Sequence, residues 1–235
     1  MRTPTNPTSA NHILATIPKK VLQTMQRNLN PVELEYGQIL YEPEGEISEV
    51  FFPINCLVSL LTSVDKKRSL EVGMVGNEGM VGMPMALGIR VSAVRALVQG
   101  AGSVLAMSAA RFRAEFKMNI PLQHALFRYN HLLMAQISQT AACNRFHETG
   151  PRLARWLLMT SDRLHSNDFR LTHEFLSHML GIRRVGVTQA AGQLERQKLI
   201  TYSRGHITIL KRRALEGAAC SCYRIVKDLQ DSAQG

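Results

Sequence analysis

Between residues 13 and 29 apolar side chains recur at 13, 14, 17, 21, 22, 25 and 29, the spacing of one or two short helices with Pro18 at a boundary. From Val32 to about Met107 the pattern changes to short apolar runs, among them GQILY, VFFPINCLVSLLTSV, SLEVGMVG and SVLAMS. Gly37, Pro43, Gly45, Pro53, Asp65, Gly76 and Gly79 punctuate them. Many short strands at this spacing predict a β-sandwich or jelly roll. Helical spacing returns over 109–143. After Pro121, the residues Leu122, Leu126, Tyr129, Leu133, Gln136 and Thr140 follow at steps of four and three, the seam of a coiled coil. The expectation is a dimerisation helix; the alternative is a face packed within its own chain. Past Gly150-Pro151, RLARWLLMTSDRL reads as a packing helix, and 213–232 as a single final helix.

The most informative stretch is LTHEFLSHMLGIRRVGVTQAAGQLERQKLI, residues 171–200. Thr172 suits a helix N-cap, and Phe175, Leu176, Met179 and Leu180 form the apolar stripe behind it. Gly181 stands where that helix must stop, and a second helical pattern starts beyond Ile182. Two short helices joined by a glycine turn are a helix-turn-helix. The following ITYSRGHITIL alternates around Arg204-Gly205 as a two-stranded wing.

Charge sharpens this picture. Residues 150–235 hold 14 Lys/Arg against 7 Asp/Glu, whereas residues 1–149 hold 14 against 11. The basic excess therefore accompanies the helix-turn-helix, as phosphate contact requires. No run of 18 apolar residues and no signal-peptide core interrupts the chain, so a cytoplasmic protein without a membrane partner is expected. Residues 1–12, rich in Thr, Pro, Asn and Ser, are expected to form a mobile leader.

With these elements in this order, the chain resembles the Crp/Fnr family of bacterial transcription regulators from about Leu29 to Val226. The resemblance is most specific in RLARWLLMTSDRL, the helix-turn-helix and the wing SRGHITIL. It implies an α+β chain with a leader (1–12), a cyclic-nucleotide-binding-like β-roll sensor domain (13–108), a long dimerisation helix (109–146) and a winged helix-turn-helix DNA-binding domain (147–235). It further implies a homodimer on a palindromic operator in double-stranded DNA, modulated by a small-molecule effector, with RNA polymerase as a further partner and no catalytic activity. In the family's recognition helix an Arg-Glu pair is followed by a second Arg. Here Arg184 matches the first Arg, while Val185 and Gln189 replace the other two. Arg grips guanine and Gln adenine bidentately, and Val offers apolar contact to a thymine methyl. Arg183, Thr172, His173, Thr188, Arg204 and His206 are candidate phosphate contacts.

The expected effector site departs from the family. Glu78 and Arg90 fall near the positions of a cyclic-phosphate cage, but Val91 replaces its serine, with Ser92 next in line. Cyclic nucleotide is accordingly disfavoured and the cofactor unassigned; Met80 and Met83, with Met74 and Met85, are candidates to line an apolar pocket instead.

Three other readings compete with a DNA-binding regulator. A cupin-type enzyme needs clustered histidines, and none occurs between His12 and His124. The basic C-terminal domain argues against a non-DNA interaction module, because DNA binding uses that charge. A redox- or metal-responsive regulator would use Cys143 and His147, four apart on one helical face, or the close pair Cys220 and Cys222. An N-terminal cysteine cluster is missing, so no iron–sulfur cluster is expected.

Overall fold

The computed structural model describes residues 7–65 and 68–232. The chain divides into two compact units, Met1–Leu60 with Met74–Met134, and Leu61–Gly73 with Ala135–Gly235.

The first unit opens with three short helices, α1 (Pro7–Ala10), α2 (His12–Ala15) and α3 (Lys19–Gln26). Of the expected leader, residues 1–6 lie outside the described residues. Pro7–Asn11 are instead built into the unit. Asn11 is fully buried, caps α2 by accepting from the Leu14 amide, and donates to the carbonyls of Pro53 (3.0 Å) and Gly79 (2.9 Å). Composition pointed to a leader, but one asparagine with three partners outweighs it.

Among the described residues seven strands follow in the chain: β1 (Asn30–Leu34), β2 (Ile39–Tyr41), β3 (Glu49–Pro53), β4 (Leu57–Asp65), β5 (Arg68–Val75), β6 (Arg95–Gly100) and β7 (Gly102–Ser108), the end of β4 and most of β5 being counted with the second unit. They form two sheets, ordered β1-β7-β3 and β2-β6-β4-β5, which is the β-roll the punctuated apolar runs predict. Phe52, Leu57, Met74, Met80 and Met107 are among its fully buried side chains. Two helices close the unit, α4 (Ala109–Met118), N-capped by Ser108, and the start of the long α5 (Ile120–Phe146). Tyr129 of α5 approaches Gly79 so closely that a Cβ there would lie 2.1 Å from the ring, so only glycine fits.

The second unit is built around α6 (Thr149–Leu164), which buries Leu153, Trp156, Leu157 and Leu158. Pro151 sits in the first turn of this helix, where its missing N–H costs nothing. The unit continues through β8 (Asp168–Arg170), α7 (His173–Leu180), α8 (Arg184–Arg196), β9 (Ile200–Ser203), β10 (His206–Ile209), α9 (Arg212–Ala218) and α10 (Cys222–Ser232). The three strands pair antiparallel in the order β8-β10-β9. The Trp156 indole donates to Glu71 Oε1 at 2.9 Å, with both side chains buried. This bond ties β5 to α6 within the unit to which residues 61–73 belong, although the strand pattern alone assigns them to 13–108. The single expected tail helix is broken over Ala219–Ser221, where the Cys220 amide leaves the helical ladder to donate to the Pro151 carbonyl.

Candidate nucleic-acid interface

Helix α7 begins as the sequence indicates: Thr172 Oγ1 accepts from the Phe175 amide at 3.1 Å. It ends at Gly181, in the left-handed region at φ 63, whose amide bonds back to the carbonyl of His178. A Cβ at Gly181 would also lie 2.7 Å from Leu70 Cδ1. Glycine is thus required by conformation and by space.

Helix α8 has two unlike faces. Val187, Ala190, Ala191 and Leu194 are buried, whereas Arg184, Val185, Thr188 and Gln189 are exposed together on the opposite face. Val185 is 61% exposed, a high value for an apolar side chain on a packed helix. Arg183 is the N-cap residue and is exposed, so two guanidinium groups flank the helix start. The free N–H groups there add a partial positive charge. Arg204, at φ 48, turns the wing between β9 and β10 with Gly205 at φ 78, and both Arg204 and His206 are exposed. His206 Nδ1 stands 3.7 Å from Asp168 Oδ1.

One expected phosphate contact takes a different place. His173 stacks on Tyr202 of β9 with ring centroids 4.3 Å apart, and its Nδ1 meets Thr188 Oγ1 at 3.0 Å. Its Nε2 is buried without a partner, so neither ring nitrogen is presented to a ligand. Burial first, and the nearby Arg184 guanidinium second, hold the imidazole below its ordinary range. His173 therefore joins α7, α8 and the wing. Tyr202 shares that role, and nothing in an alternating strand pattern marks it in advance.

The expected effector residues also have other work. Met80 and Met83 are buried in the first unit's core, as are Met74 and Met85. Ser92 Oγ closes a local turn with Val94, donating to its carbonyl at 2.7 Å and accepting from its amide at 3.1 Å. Arg90 pairs with Glu46, and Glu78 is half-buried. The Ser92 hydroxyl is thus committed to its own turn, whereas the Arg90–Glu46 pair is exposed.

The expected coiled-coil seam is a further correction. Leu122, Leu126, Tyr129, Leu133, Gln136 and Thr140 are all buried within the single chain, so they cannot form a surface for a second copy. The exposed face of α5 carries Ile120, His124, Phe127, His131 and Met134, again at steps of four and three. Apolar periodicity locates a face but does not say what covers it.

The cysteines converge. Cys143, His147, Cys220 and Cys222 present ligand atoms that all lie within 4.8 Å of one another. The Cys143 and Cys220 sulfurs are 3.5 Å apart, and Cys222 Sγ is 3.4 Å from His147 Nδ1. A hydrogen bond from Cys143, aided by Arg155, draws the Cys220 thiol below the usual thiol range, and the same bond pushes Cys143 up.

Among the described residues, no helix is long and apolar enough to cross a membrane. Residues 151–218 match the family model of the Crp-like helix-turn-helix domain. No curated protein matches the chain in sequence. Solved structures do match its fold. FixK2 from Bradyrhizobium japonicum is 13% identical, covering 82% of this chain and 98% of its own, with a TM-score of 0.69. A Crp-family transcriptional regulator from Thermus thermophilus is 19% identical, covering 80% and 96%, at 0.67. The c-di-GMP responsive global regulator CLP from Xanthomonas campestris is 14% identical, covering 82% and 99%, at 0.66. The chain thus carries a Crp-like helix-turn-helix domain within the fold of the Crp/Fnr transcriptional regulators.

Proposed function

We propose that this chain is a cytoplasmic, homodimeric transcription regulator that binds a palindromic DNA operator. The observation that carries the reading is the solvent face of α8. Its first two turns present Arg184, Val185, Thr188 and Gln189 with no acidic residue among them. A helix entering the major groove needs such a surface, and the two protomers would place theirs in successive grooves about 34 Å apart. Arg184 reads a guanine, Gln189 an adenine and Val185 a thymine methyl. Arg183, Thr172, Arg204 and His206 hold phosphates and set the register, whereas the Thr188 hydroxyl is committed to the Arg184 carbonyl and His173. The Thr172 hydroxyl keeps its proton for a phosphate oxygen, because it serves α7 as an acceptor.

The second protomer docks along Ile120, His124, Phe127, His131 and Met134 of α5. An effector acting on the first unit would shift the population between two dimer arrangements. The reading asks for no catalysis.

Selection of the full-length chain on randomised duplexes tests this. Enrichment of a two-fold symmetric site, with half-sites about 10 base pairs apart, is the expected result. Affinity should also fall steeply with salt, as counterion release demands. A chain that binds no duplex even at low salt overturns the proposal.

A further inference from the structure

Helix α5 carries Cys143 in its last turn, and the ladder runs one residue further, since the His147 amide donates to the Cys143 carbonyl at 3.1 Å. This stacks Cys143 and His147 on one face of the helix end. The break between α9 and α10 brings Cys220 and Cys222 to the same point from the other side. They are separated from Cys143 by 77 and 79 residues of sequence, the former distance spanned by a direct sulfur contact. All four side chains belong to the second unit.

We propose that Cys143, His147, Cys220 and Cys222 form a tetrahedral site for a single zinc ion, which fastens the α9–α10 tail to the end of α5. Three thiolates and one imidazole are a donor set of structural zinc, closed to substrate and without an open position. The geometry is nearly in place. A zinc–sulfur bond of about 2.3 Å at the tetrahedral angle sets neighbouring sulfurs about 3.8 Å apart. The Cys143–Cys220 separation is 3.5 Å, the Cys222–His147 separation is 3.4 Å, and no pair in the set exceeds 4.8 Å.

A second observation points to the same occupant. Arg152 and Arg155 are buried, and their hydrogen-bond partners among the described residues are an amide, a carbonyl and a hydroxyl, none a carboxylate. Arg152 bonds to Asn144 Oδ1 and the Leu180 carbonyl, and Arg155 to Thr140 Oγ1, while the Nε of each has no partner. Buried cations need nearby negative charge. Both guanidinium groups sit against the end of α5 that carries Cys143, Arg152 on the adjacent Asn144 and Arg155 on Thr140 one turn earlier. A zinc ion with three thiolates carries one net negative charge, which these arginines offset. Gln139 Nε2 completes the surroundings by donating to Cys222 Sγ at 3.0 Å, the outer hydrogen bond that orients a thiolate ligand.

Zinc entering the site takes the place of the thiol protons, which pass to the buffer, and no electron is transferred. The inference does not depend on DNA binding. It is tested on the full-length chain isolated under reducing, oxygen-free conditions, with metal content measured by mass spectrometry and cobalt(II) exchanged in as a spectroscopic probe. One zinc per chain should survive passage through chelator, and cobalt should show thiolate charge-transfer bands with the intense visible bands of a tetrahedral centre. His147→Gln and Cys222→Ser should each weaken zinc binding about tenfold or more. Cys56→Ser, whose thiol lies in the first unit, should bind zinc as the parent does. His147 is only half-buried, so its variant keeps the test valid where a cysteine variant fails to fold. Substoichiometric metal after zinc challenge, an octahedral cobalt spectrum, or equal zinc content in every variant overturns the inference. So does a Cys143–Cys220 disulfide in the freshly isolated chain, which would make the pair a redox couple. DNA affinity measured on the same samples separates this outcome from any failure of the regulator reading.

Discussion

Placing a dimer on the exposed face of α5 makes a prediction that the buried face cannot share. Phe127 is 49% exposed, and its ring meets Phe116 edge-on at 6.0 Å. A phenylalanine buries roughly 200 Å², so about 100 Å² of this one is left for a second protomer. At about 25 cal/mol per Å² this is about 2.5 kcal/mol per protomer, or about 5 kcal/mol per dimer. The ordering of side chains makes that an upper limit. Phe127→Ala should therefore raise the dimer dissociation constant by at most three to four orders of magnitude, roughly. Met134, at 60% exposure, lies seven residues further along the same face, and Phe127→Glu with Met134→Glu should give monomers. The fold should survive at a cost of up to about 2.5 kcal/mol, because the half of the ring already covered within the chain buries about 100 Å². Leu126→Ala removes a fully buried side chain and should cost about 2–5 kcal/mol of stability instead. Sedimentation velocity over a dilution series, paired with chemical denaturation, reads both quantities. A Phe127→Glu, Met134→Glu chain that dimerises as tightly as the parent would refute the assignment of the seam.

Three further outcomes follow from the second unit. Arg184→Ala should cost about 1–3 kcal/mol of operator affinity and relax preference at one base pair, and selection on randomised duplexes checks it; uniform weakening on all sequences would place Arg184 on phosphate. Gly181→Ala puts an L side chain in the left-handed region and against Leu70, so it should destabilise by about 1–2 kcal/mol in thermal unfolding. An unchanged midpoint would contradict that. Burial and Arg184 keep the folded His173 imidazole neutral below its ordinary value of 6.5. The stability it contributes is complete above that pH and is lost as pH falls through the lower folded value. Its NMR titration midpoint should lie below 6.5, and a midpoint at or above 6.5 would contradict the burial argument.

The helix-turn-helix was legible because local chemistry determines it. Thr172 and Gly181 mark the limits of α7 by capping geometry, which depends on neighbours in sequence. The β-roll was legible for a similar reason, through turn residues at short intervals. What escaped were matters of partnership. Leu126 and Phe127 are adjacent, and only the packed structure says that the first faces the core and the second the solvent. The more apolar stripe went to the core, leaving an exposed stripe of Ile, His, Phe and Met that the strongest periodicity hid. Cys143 and Cys220 came together across 77 residues, a pairing that no local pattern encodes. His173 reads in the sequence as a candidate phosphate contact, whereas Tyr202, 29 positions away in sequence, claims its ring.

The stack of His173 on Tyr202, with Thr188 on its other edge, bears on how a duplex is chosen. One imidazole locks three elements together, so the distance from Arg204 at the wing tip to Arg184 on α8 is set before any DNA arrives. A rigid span of this kind loses little conformational freedom on binding. It also measures. A groove whose width places its phosphates off that fixed span must deform to be accepted, and the cost of deformation depends on base sequence. The domain would thus discriminate among duplexes at base pairs that no side chain touches, with a half-buried histidine acting as the gauge.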